Sequence, residues 1–149
     1  MPSAMTATAR RIHLAIAVLA VAGAIVSSVS LYHHYGTSET SFCDFAANFN
    51  CDIVNRSRYS VFFGIPVALI GICGYLALLA LATLYRAHPR APALLLGAST
   101  LGLGFAFYLT YIEGFVLGVW CVLCLSSLTA IVLITVLSSM LVAKSMRKL

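Results

Sequence analysis

Charge is what this 149-residue chain has least of: 9% of its residues are Asp, Glu, Lys or Arg, against 62% hydrophobic. A soluble domain carries roughly a quarter charged residues, so the composition excludes an ordinary water-soluble fold. Acids are scarcer still, four against nine Lys and Arg. The four histidines are scattered, with His33 and His34 after the first apolar run and His13 and His88 elsewhere, so none stands beside the paired cysteines. That disfavours a zinc site, and no metal is expected. Internal repeats and low-complexity tracts are absent too.

What is present is apolar length. Four stretches reach the roughly 20 residues that a helix needs to cross hydrocarbon: residues 12–31, 61–85, 93–112 and 115–142. Little chain remains outside them. The expectation is therefore an all-α integral membrane protein, one domain over 1–149, built as a four-transmembrane-helix bundle. A long extracytoplasmic loop, residues 32–60, joins helices 1 and 2.

The basic residues orient this bundle. Arg10 and Arg11 precede helix 1, Arg86 and Arg90 lie between helices 2 and 3, and Lys144, Arg147 and Lys148 follow helix 4. Short loops rich in Lys and Arg stay cytoplasmic, so both termini are expected there. Arg56 and Arg58 share the opposite side with Glu39, Asp44, Asp52 and Glu113. The net charge of +5 follows from this asymmetry and implies no nucleic-acid partner. A secretory signal is the competing reading of the N-terminus, but the apolar run is longer than a typical signal core.

Along the helices, Pro66 is expected in the first turns of helix 2, where a missing N–H matters least. Gly71, Gly74 and Ala77 on helix 2, and Gly97, Ala98, Ser99, Gly102 and Gly104 on helix 3, give small-residue faces suited to close packing. Glu113 ends helix 3 near the level of Cys121 and could accept protons there, though an acid at a helix end reads first as a solvated group; Cys73 reads as a buried packing residue.

The remaining four cysteines carry the chemistry. Cys121 and Cys124 are three apart on helix 4 and share a face, about two turns in if that helix begins near Phe115. Cys43 and Cys51 lie in the outward loop, where an oxidising compartment sustains disulfides. That pair alone reads as a structural disulfide. Beside a second pair at the same membrane face it also reads as a relay, because a thiolate can attack a nearby disulfide. Phe45, Phe49 and Ile53 recur at helical spacing, as on a short amphipathic helix resting over the bundle.

Phe42-Cys43-Asp44, Cys51-Asp52, Ser57, Phe63-Gly64-Ile65-Pro66 with Leu69 and Gly71, and Cys121-Val122-Leu123-Cys124 together resemble the vitamin K epoxide reductase family. The resemblance spans nearly the whole chain. It implies a quinone-dependent thiol–disulfide oxidoreductase in which Cys43 exchanges with a thioredoxin-like or DsbA-like periplasmic protein. Cys51 then forms a transient disulfide with Cys121, and Cys124 faces a membrane quinone of the ubiquinone, menaquinone or vitamin K type. Ser57 matches a family serine that shapes the site, and Ser60, Phe62, Phe63, Tyr108, Tyr111 and Trp120 are further candidate quinone contacts. Leu128 and Ser60 stand where the vertebrate enzymes carry a tyrosine and an asparagine. The departures favour the bacterial branch, an inner-membrane protein with its active site on the periplasmic side, without a fused thioredoxin-like domain and supporting disulfide bond formation.

Two alternatives remain. One is a vitamin K epoxide or quinone reductase running on lumenal thiols. The other is a non-enzymatic tetraspan protein of the claudin type with a structural loop disulfide, against which the Cys-x-x-Cys in helix 4 argues. Thiol oxidases of the DsbB type carry their two cysteine pairs in the opposite order.

Overall fold

The computed structural model describes residues 6–35, 54 and 57–148, the side chain of His33 excepted. The loop cysteines Cys43 and Cys51 and the proposed loop helix with Phe45, Phe49 and Ile53 lie outside the described residues.

Four helices organise the rest. Helix α1 runs Ala7–Tyr35, α2 Val67–Thr83, α3 Ala91–Tyr111 and α4 Val122–Arg147. Three of them are long and apolar enough to cross a membrane, and α2 is a shorter apolar helix. Its 17 residues span about 26 Å at 1.5 Å per residue, close to the hydrocarbon thickness.

Local chemistry sets the bounds. Thr6 Oγ1 accepts the Ala9 N–H at 3.2 Å, meeting one of the donors that a helix start leaves unpaired. Helix α1 continues one turn past the expected Leu31, so His34 is helical. Pro66 sits at the N-cap of α2 rather than inside it, because the preceding residues fold otherwise. Val61–Phe62 and Ile65–Pro66 pair antiparallel, Val61 with Pro66 and Phe62 with Ile65. Phe63 (φ 53°) and Gly64 (φ 80°) make the two-residue turn. Both central residues at positive φ define the turn whose twist matches a hairpin.

Many hydroxyls inside the helices pair locally, although Ser138 Oγ is buried without a partner. Ser28, Thr83, Thr110, Ser126, Thr129, Thr135 and Ser139 each donate to the carbonyl four residues back. In lipid that is the local way to pair a polar group that water cannot reach.

Packing is uneven. Helix α1 lies along α2 and α4, and α3 along α4, whereas α2 and α3 touch far less. The main core joins Ile12, Ile16 and Ala20 of α1 to Tyr75, Leu78 and Ala82 of α2, Leu95 of α3, and Ala130, Ile131 and Ile134 of α4. Close approach at small residues holds two of these seams. A Cβ on Gly23 would run into the Tyr75 ring, one on Gly71 would lie 2.8 Å from Ser27 Oγ, and one on Gly102 3.3 Å from Ile131. Gly74, Gly97 and Gly104 do not make the close contacts expected of them: a Cβ there would meet nothing within 4 Å. They face the gap between α2 and α3. Cys73 is also not buried but exposed on the surface of α2.

Candidate active site

The segment leading to the paired cysteines departs most from expectation. Helix 4 does not start near Phe115. Residues Ile112–Leu117 instead extend α3 by a wider π-helical turn, which Gly118 ends at φ 70°. A π turn of this kind is rare and tends to mark functional positions. The Gly118 and Val119 N–H groups both donate to the Glu113 carbonyl. Trp120 folds back over Gly114, where a Cβ would come within 2.7 Å of its ring. Cys121 then takes the extended conformation as the N-cap of α4, and Cys124 lies in that helix's first turn. The pair thus sits at a helix start, not two turns inside a helix.

Cys121 is fully buried, in an apolar cluster with Val54 and Leu123 that Val26, Val29 and Leu117 close off. Its thiol and that of Cys124 interact directly. Glu113 joins them. Its side chain is 1% exposed, not solvated as its place at a helix end suggested. Oε2 accepts the Cys121 N–H at 3.2 Å, and the carboxyl also engages the Cys124 thiol. Its other oxygen, Oε1, is buried with no hydrogen-bond partner.

Cys124 and Glu113 both line a cavity of about 1110 Å³. Its walls are Gly71, Gly74 and Leu78 of α2, Gly97, Gly104, Phe105 and Leu109 of α3, Ser27 and Ser30 of α1, and Leu123, Ser127 and Ile131 of α4. The segment before α2 contributes Val54, Ser57, Tyr59, Ser60 and Phe62. Leu101, a wall residue of α3, is 79% exposed, so the cavity opens through the side of the bundle. Apolar walls with a few convergent polar groups suit a lipid-soluble ligand.

Of the candidate contacts, Ser57 and Ser60 line this cavity. Ser57 Oγ donates to the Val54 carbonyl at 2.9 Å. Ser60 Oγ donates to the Ser57 carbonyl at 2.6 Å and lies 3.3 Å from His34 Nδ1. Phe63, Tyr108, Tyr111 and Trp120 are not part of the wall. Phe63, in its turn, is 90% exposed. Tyr108 stacks behind Phe105 at 6.5 Å, and Tyr111 stacks on Phe115 at 5.0 Å. Of the candidate aromatics, Phe62 does border the cavity, against Phe105, edge to face at 6.1 Å.

Several wall residues escape a reading by sequence. His34 lies past the expected end of helix 1. Tyr75 is an aromatic in an apolar run, yet its hydroxyl lies 2.8 Å from both the carbonyl and the hydroxyl oxygen of Ser127, tying α2 to α4. Only Glu113 left a signal, as a lone acid eight residues before Cys121.

The vitamin K epoxide reductase family matches residues 14–139 of this chain. The chain belongs to that family. The match runs from α1 through the cysteine pair to most of α4, and with the apolar helices it makes the chain an integral membrane protein. Members of the family are membrane oxidoreductases that work between thiols and quinones.

Proposed function

We propose that the chain is a quinone-dependent thiol–disulfide oxidoreductase that accepts electrons from a thioredoxin-like or DsbA-like protein and supports disulfide bond formation. The observation that carries this reading is Cys124, seated beside Cys121 at the wall of an apolar cavity open to the side of the bundle. A dithiol at such a wall can meet a ligand dissolved in lipid, and water-borne substrates cannot follow.

In this reading the four apolar helices all cross the membrane. Arg10, Arg11, Arg86, Arg90, Lys144, Arg147 and Lys148 mark the cytoplasmic end, in a bacterial inner membrane. The reaction begins when a carrier thiolate attacks the Cys43–Cys51 disulfide; the carrier's second thiol resolves the mixed disulfide, which oxidises the carrier and leaves both loop sulfurs reduced. Cys51 next attacks Cys121, breaking the Cys121–Cys124 disulfide and releasing Cys124 as a thiolate, which takes up the proton that Cys51 gave up. Cys43 resolves the mixed disulfide, which restores the loop disulfide and frees the Cys121 thiol. Val54, three residues along the chain from Cys51, is packed in the cluster that holds Cys121, which supports this transfer. A quinone bound in the cavity supplies the two-electron acceptor. Cys121 and Cys124 give up two electrons and two protons and close their disulfide. Phe62 and Phe105 form an aromatic wall for the ring, and Ser57, Ser60 and His34 are the polar groups at that end.

The epoxide-reducing direction has less support. At the position of the vertebrate tyrosine, Leu128 packs against the main core. At that of the asparagine, the Ser60 hydroxyl is already committed to the Ser57 carbonyl.

Anaerobic mixing of the purified protein with quinone and a reduced thioredoxin-like carrier tests the reading. Wild type is expected to consume quinone absorbance catalytically and Cys124→Ala to leave it unchanged; equal consumption by both sinks it. Vitamin K epoxide with dithiothreitol is expected to yield no vitamin K.

A further inference from the structure

We propose that Glu113 is the proton acceptor for the Cys124 thiol when the dithiol is oxidised, a role that rests on the thiol–quinone reading above. A buried carboxyl oxygen without a partner is expensive, and native structures keep few such groups. Glu113 has one: Oε2 is held by the Cys121 N–H, while Oε1 is buried and unpartnered. Packing alone does not account for an acid here, since the cluster around its partner Cys121, with Leu117, Val119 and Leu123, is apolar. The π turn places the carboxyl against the Cys124 thiol and the Cys121 N–H at the cavity wall.

The chemistry at that point needs such a group. Closing the Cys121–Cys124 disulfide breaks two S–H bonds and forms one S–S bond, releasing two electrons and two protons. Both electrons and both protons end on the quinone, giving quinol. A carboxylate is acceptor-only when ionised and an O–H donor when protonated, so it can take a proton and return it. Glu113 takes the Cys124 proton, which leaves the thiolate able to give up its electron pair. The Cys121 sulfur then bonds to Cys124 and loses its own proton. Glu113 afterwards delivers the Cys124 proton to the reduced acceptor, returning to its starting form, and the Cys121 proton completes the quinol. The bond from the Cys121 N–H holds the carboxyl in register throughout.

Glu113→Gln keeps the size of the side chain and an oxygen for the Cys121 N–H but cannot take up the proton, so it separates this role from a structural clasp. In single-turnover mixing of fully reduced protein with quinone, Glu113→Gln is expected to be about 100-fold slower than wild type. Its solvent deuterium isotope effect should rise while its titratable dithiol content stays intact. Glu113→Asp should fall between the two. Should the Gln variant fail to accumulate in the membrane, Glu113→Asp decides alone: slower turnover with a larger isotope effect supports the role. A wild-type rate and isotope effect in Glu113→Gln, or in Glu113→Asp where it decides alone, overturns it. Cys124→Ala in the same assay keeps the two claims apart. If it is inactive while Glu113→Gln matches wild type, only the proton role fails; if it matches wild type, the thiol–quinone reading itself fails.

Discussion

Gly23 and Tyr75 show how one small residue places a large one. The absent Cβ of Gly23 lets the Tyr75 ring lie flat against α1, and the ring's hydroxyl then reaches Ser127 on α4. Three helices are tied by one side chain. Gly23→Val is expected to destabilise the bundle by about 1–3 kcal/mol through overpacking, and Tyr75→Phe by about 0.5–1 kcal/mol through the lost hydrogen bond. Because the two residues touch, the double variant Gly23→Val/Tyr75→Ala should cost less than the sum of its parts, readable in a denaturation cycle. Strict additivity would count against the contact. None of this could be inferred from sequence, where Gly23 is one small residue among many in an apolar run. Glu113 is the opposite case: its rarity made it visible, but only the fold shows that it is buried.

At the scale of elements, the four apolar runs each hold a helix, three of them long and apolar enough to cross a membrane and α2 shorter. Their ends were less legible. Apolar character continues from Ala91 to Arg147 almost without a break, so hydropathy could not reveal that the chain turns between Gly118 and Cys121. The turn depends on backbone conformation, a π turn closed by one left-handed glycine. Misplacing it put Cys121 inside a helix when it starts one. The hairpin before α2 was hidden for the same reason, since Val61, Phe62 and Ile65 are as apolar as the helix they precede. Gly118→Val forces a β-branched residue to positive φ, a genuine outlier, and is expected to cost about 1–2 kcal/mol. It should also shift Cys121 relative to Glu113. Thermal unfolding checks the first effect and the rate of thiol alkylation the second; an unchanged midpoint would show that the turn is not under that constraint.

For the molecule as a whole, the consequential feature is what the helices leave open. The small residues of α2 and α3 suggested a tight seam, yet of their glycines only Gly71 and Gly102 are closely approached, each by a residue of another helix than its partner across the gap. Gly74 and Gly104 border the cavity with room to spare. Small-residue faces in a membrane helix favour close packing and a ligand space alike, and sequence does not separate the two. Filling the space does. Gly74→Leu and Gly104→Leu should fold at least as well as wild type, since glycine inside a helix costs about 0.5–1 kcal/mol relative to alanine. Their KM for quinone should nevertheless rise about tenfold, equivalent to about 1.4 kcal/mol, with carrier exchange unaffected. An unchanged KM in steady-state assays of both variants would place the quinone elsewhere.

The measurement closest to the central claim is a stoichiometric one. A Cys43→Ala/Cys51→Ala/Cys73→Ala variant retains only Cys121 and Cys124, and after full reduction it can be mixed anaerobically with one equivalent of quinone. One quinol is expected for each two thiols lost, with the Cys121–Cys124 disulfide recovered by peptide mapping. Quinol formed without loss of those thiols, or no quinol at all from a correctly inserted protein, would contradict that claim.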